Sequence, residues 1–195
     1  MFDWEDREQA EYSRSTHISF VELTKRSYLT ASGTAPKRTV DPTFFAKAAA
    51  VTKLAQLISE GPKAGIEVPG FKDYRPYPVQ AVWHGDDFKI WLKQPLFINE
   101  TIYNQAVNQA SLSELVNFEQ LSEGTEMQTS FSGAVTATQV DGLQEEAKEV
   151  GYQLVDSGSH REVYLDGLPL TDDKQVLVRI PIDATGKRPP LAAVN

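Results

Sequence analysis

The segment between Asp41 and Pro62 constrains the fold more than any other part of the sequence. Phe44, Ala48, Val51, Ala55 and Ile58 recur at helical spacing, which predicts a helix over residues 43–60 with one apolar stripe. Asp41 is a suitable N-cap, Pro42 suits the first helical position, and Gly61-Pro62 ends the run. A second helix is expected after the Asn99 cap, its stripe formed by Ile102, Tyr103, Ala106, Val107 and Ala110. A third is centred on residues 140–150, where Val140, Leu143, Ala147 and Val150 share a face. Thr138 followed by Asp141 resembles a capping box, and Gly151 suits the position just past the helix end.

The remaining patterned segments read as strands. Residues 18–23 and 28–31 read as one edge strand interrupted near 24–27. Residues 79–83 and 88–93 flank a four-residue turn, His84-Gly85-Asp86-Asp87. Strands are also expected over 115–121, 126–131, 162–165 and 175–182. Strand–helix–strand–strand therefore occurs over residues 18–95 and again over about 124–182, joined by a linking helix and strand over about 99–122. Residues 1–17 form a lead segment, in which Phe2, Trp4 and Tyr12 either anchor to the body or lie exposed. Residues 183–195 read as a frayed tail. The expected fold is α+β: two such modules forming a curved antiparallel sheet, with helices on one face and a ligand cleft on the other.

Charge narrows the function. There are 19 Lys and Arg against 27 Asp and Glu, a net charge of −8. This argues against nucleic acid and against anionic membranes as partners. No apolar run approaches the ~18 residues of a membrane span. The acidic start, Met-Phe-Asp-Trp-Glu-Asp, is unlike a signal peptide. With no cysteine to form disulfides, thiolate metal sites or nucleophiles, a cytoplasmic protein is expected. Eight acids (Glu114, Glu119, Glu123, Glu126, Asp141, Glu145, Glu146 and Glu149) lie in residues 111–150 against one base, Lys148. They form either a solvated face or a field that attracts cations.

His17, His84 and His160 lack paired ligand spacing, so neither a metal nor a cofactor is expected. No nucleophile elbow, phosphate loop or dinucleotide fingerprint is present. The informative stretch is Ser159-His160-Arg161-Glu162-Val163-Tyr164-Leu165. Alternation along a strand puts His160, Glu162 and Tyr164 on one face, with Val163 and Leu165 on the other. If Val163 and Leu165 pack against helices, Glu162 projects from the helix-free face. It is then either a solvent-exposed glutamate or the floor of a cleft, placed to pair with a cation or act as acid or base. Tyr74, Tyr77, Trp83, Trp91 and Phe131 are either core or the walls of that cleft. Trp91 alternates with Lys89 and Lys93, which puts it on the more polar, cleft-facing side. Aromatic walls around one carboxylate suit flat, hydrophobic cations.

His160-Arg161-Glu162-Val163-Tyr164-Leu165 resembles the "HREIYL" strand of GyrI-like small-molecule-binding proteins. Tyr77-Pro78-Val79-Gln80-Ala81-Val82-Trp83 resembles their "YPLEGLW", Gln94-Pro95-Leu96-Phe97 their "QPDF", and Pro62-Lys63-Ala64-Gly65 their "PKSG". The resemblance runs over about residues 18–182. It implies a pseudo-twofold pair of modules with a cleft at their junction, and binding of lipophilic, often cationic compounds. The 17 residues before Ile18 are too few for a helix-turn-helix module. Some standalone relatives open the cyclopropane ring of alkylating natural products. That resemblance would make Glu162 orient water, Tyr164 assist by hydrogen bonding, and Trp83 and Trp91 stack on substrate. Three departures stand out: Gln80 replaces a glutamate, Ser130-Phe131-Ser132-Gly133 replaces "LHIG", and Asp166-Gly167-Leu168-Pro169 replaces "SDPRK". Binding of a small molecule is the first expectation, with Tyr77, Phe131 and His160 among the contacts. Hydrolysis in the same cleft is the second. A protein-interaction role, as in gyrase-inhibitory relatives, is the third.

Overall fold

The computed structural model describes residues 1–194. Its sheet is antiparallel, strongly curved and open, in the order β1-β6-β9-β8-β3-β4-β2-β5. The strands are β1 (Ser19–Leu23), β2 (Arg26–Thr34), β3 (Gln80–His84), β4 (Asp87–Gln94), β5 (Asn117–Leu121), β6 (Gly124–Ser132), β8 (Ser159–Tyr164) and β9 (Gln175–Asp183). A two-residue strand, β7 (Gln153–Leu154), pairs off the main path with β9. Among the described residues four α-helices accompany it: α1 (Trp4–Arg7), α2 (Pro42–Glu60), α3 (Glu100–Gln109) and α4 (Ala137–Glu149). Among the described residues no helix is long and apolar enough to cross a membrane.

Local sequence explains the helices. Asp41 caps α2 by accepting from the Thr43 amide at 3.0 Å, and Asn99 caps α3 through the Ile102 amide at 3.1 Å. α4 starts two residues earlier than the Thr138 cap implied. Thr136 and Gln139 form the capping box, because glutamine can reach back to the cap amide where Asp141 lies too late. Gly151, at φ +90°, ends it as expected. The β3–β4 loop is two residues rather than four. His84 and Asp87 pair across it, and Gly85 supplies the positive φ (58°) that such a tight loop needs.

The modules are β2–α2–β3–β4 and β6–α4–β8–β9, meeting at the β3–β8 pair. Residues 18–23 and 28–31 are not one interrupted edge strand. β1 borders β6 of the second module, whereas β2 lies between β4 and β5 of the first. Each module is thus flanked by a strand that precedes the other module in sequence. Only two residues separate β1 from β2, and two separate β5 from β6. So short a connection spans at most about 11 Å, which forces the ends of the sheet to curl toward one another. The tail is not frayed throughout: Leu191 bridges to Phe20, and the Ala192 amide donates to the Phe20 carbonyl at 2.8 Å. An edge strand leaves unpaired backbone groups, and the returning chain takes some of them.

α2 and α4 lie on the same face of the sheet. Phe44, Val51, Leu54 and Ile58 of α2 share one core with Leu29, Ala81, Ile90 and Leu92. Leu143 and Ala147 of α4 share the second core with Met127, Val178 and Ile180. The lead segment covers much of the opposite, concave face, with Trp4 and Tyr12 buried and packed together at 4.9 Å. A cavity of about 570 Å³ remains beside it, lined by Tyr74, Tyr77, Lys93 and Phe97.

Candidate functional site

Glu162 points to the helix face, not the helix-free one. In β8 its neighbour Tyr164 meets Phe44 of α2 edge-on at 6.0 Å, so the whole row His160, Glu162 and Tyr164 lies on that side. Val163 faces the other way. Alternation identifies which residues share a face but not which face the helices cover, and the buried lead segment supplies Val163 with an apolar environment of its own. The cleft therefore lies on the helix face, between α4 and the turn that precedes α2, beside the β3–β8 pair.

The geometry there is tightly determined. Ala81 stands opposite Glu162 and Trp83 opposite His160. The small Ala81 side chain leaves room above it for the carboxylate. Glu162 is 1% exposed, and Trp83 and Tyr164 are fully buried. The Trp83 indole N–H donates to the Tyr164 hydroxyl at 3.1 Å, and that hydroxyl donates to Glu162 Oε2 at 3.0 Å. Burial, and next the Glu162 charge, push the Tyr164 hydroxyl well above the usual tyrosine range, so it remains a donor. His160 Nε2 lies 2.8 Å from Oε1. A carboxylate only accepts, which places the imidazole proton on Nε2.

The third donor had no counterpart in the sequence reading. Arg38, in a 3-10 turn (Arg38–Val40) just before α2, forms an ion pair with Glu162 Oε1. Its guanidinium carbon lies 3.9 Å from the centroid of the Trp83 ring, which Phe44 also stacks upon at 5.1 Å. In front of Arg38 and His160 opens a cleft of about 420 Å³, walled by Val135, Val140 and Gln144, with Asp86 and Asp141 at its rim. Glu162 can thus hold a cation against an indole face, and with Arg38 displaced it has the proton donors and acceptor of an acid–base site.

Glu162, Tyr164, Trp83 and His160 come together, while three other expected contacts lie elsewhere. Trp91 is on the concave face, 5.0 Å from the Tyr28 ring and beneath the Arg161 guanidinium at 4.1 Å. Tyr77 packs against Tyr12 at 5.9 Å and donates to Glu8 at 3.2 Å. Phe131 packs into the core beneath α4. Local pattern does not report the lead segment that covers Trp91 and Tyr77, nor the α4 core that takes up Phe131.

The concave face holds a charged network instead. Lys93 pairs with Glu8 at 2.9 Å and Glu11 at 3.0 Å, and Arg179 pairs with Glu123 at 2.7 Å. Arg161 lies 3.2 Å from Glu123. Burial would raise the Glu123 carboxyl, but Arg161 and Arg179 override it and hold it down at about 2. Burial pushes Glu126 up to about 8, and its Oε2 has no protein hydrogen-bond partner. The acidic stretch is therefore divided: Glu123 and Glu126 are interior, while Asp141, Glu145, Glu146 and Glu149 form an exposed row on α4.

No protein-family model matches the chain, and no curated protein matches it. Among solved structures, a hydrolase from Listeria innocua is similar at 15% identity and a TM-score of 0.78, over 94% of this chain and 100% of its own. A conserved protein from Listeria innocua gives 16% identity and a TM-score of 0.78, over 94% and 100%. The C-terminal domain of EcmrR gives 12% identity and a TM-score of 0.50, over 86% and 97%. At these identities the likeness shows the fold alone.

Proposed function

We propose that the protein binds small hydrophobic cations in the cleft between α4 and the turn that precedes α2, acting in the cytoplasm to sequester or sense them. The observation that carries this reading is the buried Glu162 carboxylate beside the Trp83 ring, with a guanidinium already seated on both. Burying a carboxylate is costly unless a cation compensates it. The GyrI-like sequence blocks support the same reading, and the solved neighbours are consistent with that fold. The test is titration of lipophilic dye cations such as rhodamine 6G, followed by calorimetry. Glu162→Gln keeps the shape and removes the charge, and should weaken binding roughly tenfold or more, as expected for a hydrogen bond to a charged group. Equal affinity in the two proteins would refute the proposal.

A second reading is hydrolysis in the same cleft, of cyclopropane-bearing or other strained electrophiles. It is favoured by Tyr164 and His160 both donating to one carboxylate, and by the similar structures that include a hydrolase from Listeria innocua. Product formation detected by mass spectrometry, and abolished by Glu162→Gln, would establish it over binding alone.

A further inference from the structure

We infer that Arg38 occupies the seat of the cleft's own ligand, and that this seat selects planar, delocalised cations such as amidinium or guanidinium groups. This rests on the proposed binding role of Glu162 and goes further, naming the ligand class and the residue that competes with it. Three observations combine. First, Arg38 is the one non-glycine residue among those described with a positive φ, at 59°. A side-chain-bearing residue rarely adopts that conformation, and where one does the cause is worth seeking at a functional site. Second, the side chain of Arg38 is one-third exposed while that of Glu162 is 2% exposed. Arg38 thus enters from the solvent side and can leave without disturbing the carboxylate below. Third, the contacts it makes are those of a bound ligand: its guanidinium carbon sits over the Trp83 ring, 3.9 Å from the centroid, and an N–H points to Glu162. A guanidinium satisfies both at once because it is planar, delocalised and weakly hydrated. A primary ammonium is a compact, strongly hydrated charge and does not.

The retaining contacts are few. The turn itself is held by backbone bonds, Arg38 N to Ala35 O at 2.8 Å and Asp41 N to Arg38 O at 3.0 Å, so it persists without the side chain. Beyond Glu162 and the Trp83 ring, the guanidinium reaches only the Gly85 carbonyl, in a long contact at 3.5 Å, while His160 Nε2, whose proton faces Glu162, lies 3.4 Å away. With Arg38 swung outward, the cleft of about 420 Å³ extends down to Glu162. Asp86 and Asp141 at its rim favour an incoming cation. A protein whose site is self-occupied most of the time binds its ligand more weakly by the fraction of time the site is free.

The experiment compares benzamidine binding to the full-length protein and to Arg38→Gly by isothermal titration calorimetry. Glycine accepts the positive φ and deletes the competitor. Arg38→Gly should bind benzamidine at least about tenfold more tightly than the unsubstituted protein, if the seat is free a tenth of the time or less. n-Butylamine, of equal charge but not planar, should gain little. Adding Glu162→Gln to Arg38→Gly should erase the benzamidine gain. If Arg38→Gly does not fold, Arg38→Gln removes the charge and leaves an amide too short to fill the seat, and the same comparison applies. A folded variant with no gain overturns the inference, as does a gain that survives Glu162→Gln or is equal for n-butylamine. Rhodamine 6G binding that depends on Glu162 in the presence of Arg38 would still stand in the first case, leaving the binding role intact.

Discussion

Glu126 offers the sharpest test of the interior electrostatics. Its carboxyl is pushed up to about 8 by burial, with Arg161 opposing and Glu123 reinforcing the shift. In the unfolded chain it returns to an ordinary value near 4.5. Between those two values the native state holds a proton that the unfolded state has released. Stability therefore falls as pH rises through this window, by up to about 1.4 kcal/mol for each pH unit. Between pH 5 and pH 8 the loss comes to roughly 3–4 kcal/mol, which in a chain of this size is on the order of 10 °C in Tm. Glu126→Gln is neutral at every pH and has the same shape, so it should show no such loss. The assay is thermal melting of both proteins at half-unit steps across the window. Their Tm values should nearly coincide at pH 5 and diverge steadily, with the variant the more stable at pH 8. A constant difference across the range would mean that Glu126 is charged in the folded protein, and the reasoning about this interior would be wrong.

Two further substitutions probe the two faces. Lys93→Met leaves Glu8 and Glu11 buried without their cation and should cost about 3–5 kcal/mol in urea unfolding, part of it recovered by adding Glu11→Gln. An unchanged midpoint would mean that the lead segment is not held by this pair. Tyr164→Phe leaves the buried Trp83 N–H without an acceptor and Glu162 without one donor, and should cost about 1–3 kcal/mol. A neutral result, measured by the same unfolding, would show that the relay does not tie the aromatic cluster to the carboxylate.

The elements read well from sequence because their determinants are local. Asp41-Pro42, Asn99 and Gly151 act on their own helices, and each is where the pattern placed it. The grouping of His160, Glu162 and Tyr164 was equally legible, since the strand period is fixed at two. Their facing was not, because both sides of β8 are buried and a period carries no direction. β1 and β2 misled for a related reason. They are adjacent in the chain, yet the curl of the sheet assigns them to different modules. Arg38 was beyond reach: its partner lies 124 residues away, and its turn carries no local mark of the pairing. The charged interior was hidden similarly, because Glu8 and Glu11 lie in a segment with no periodic pattern of its own.

β8 connects the two faces. Arg161 and Glu162 are adjacent, so one projects into the charged interior and the other into the cleft. A register slip of one residue would exchange them, placing a cation beneath Trp83 and a carboxylate against Glu123 and Glu126. Both placements would bring like charges together or strand an ion, so each face specifies the register that the other requires. The fixed height of Glu162 at the cleft floor thus follows partly from Arg161 and Glu123 on the far side of the sheet. That makes the interior network a positioning element for the cleft. It also explains why a buried arrangement of ions, a weak source of stability in itself, is worth keeping in this fold.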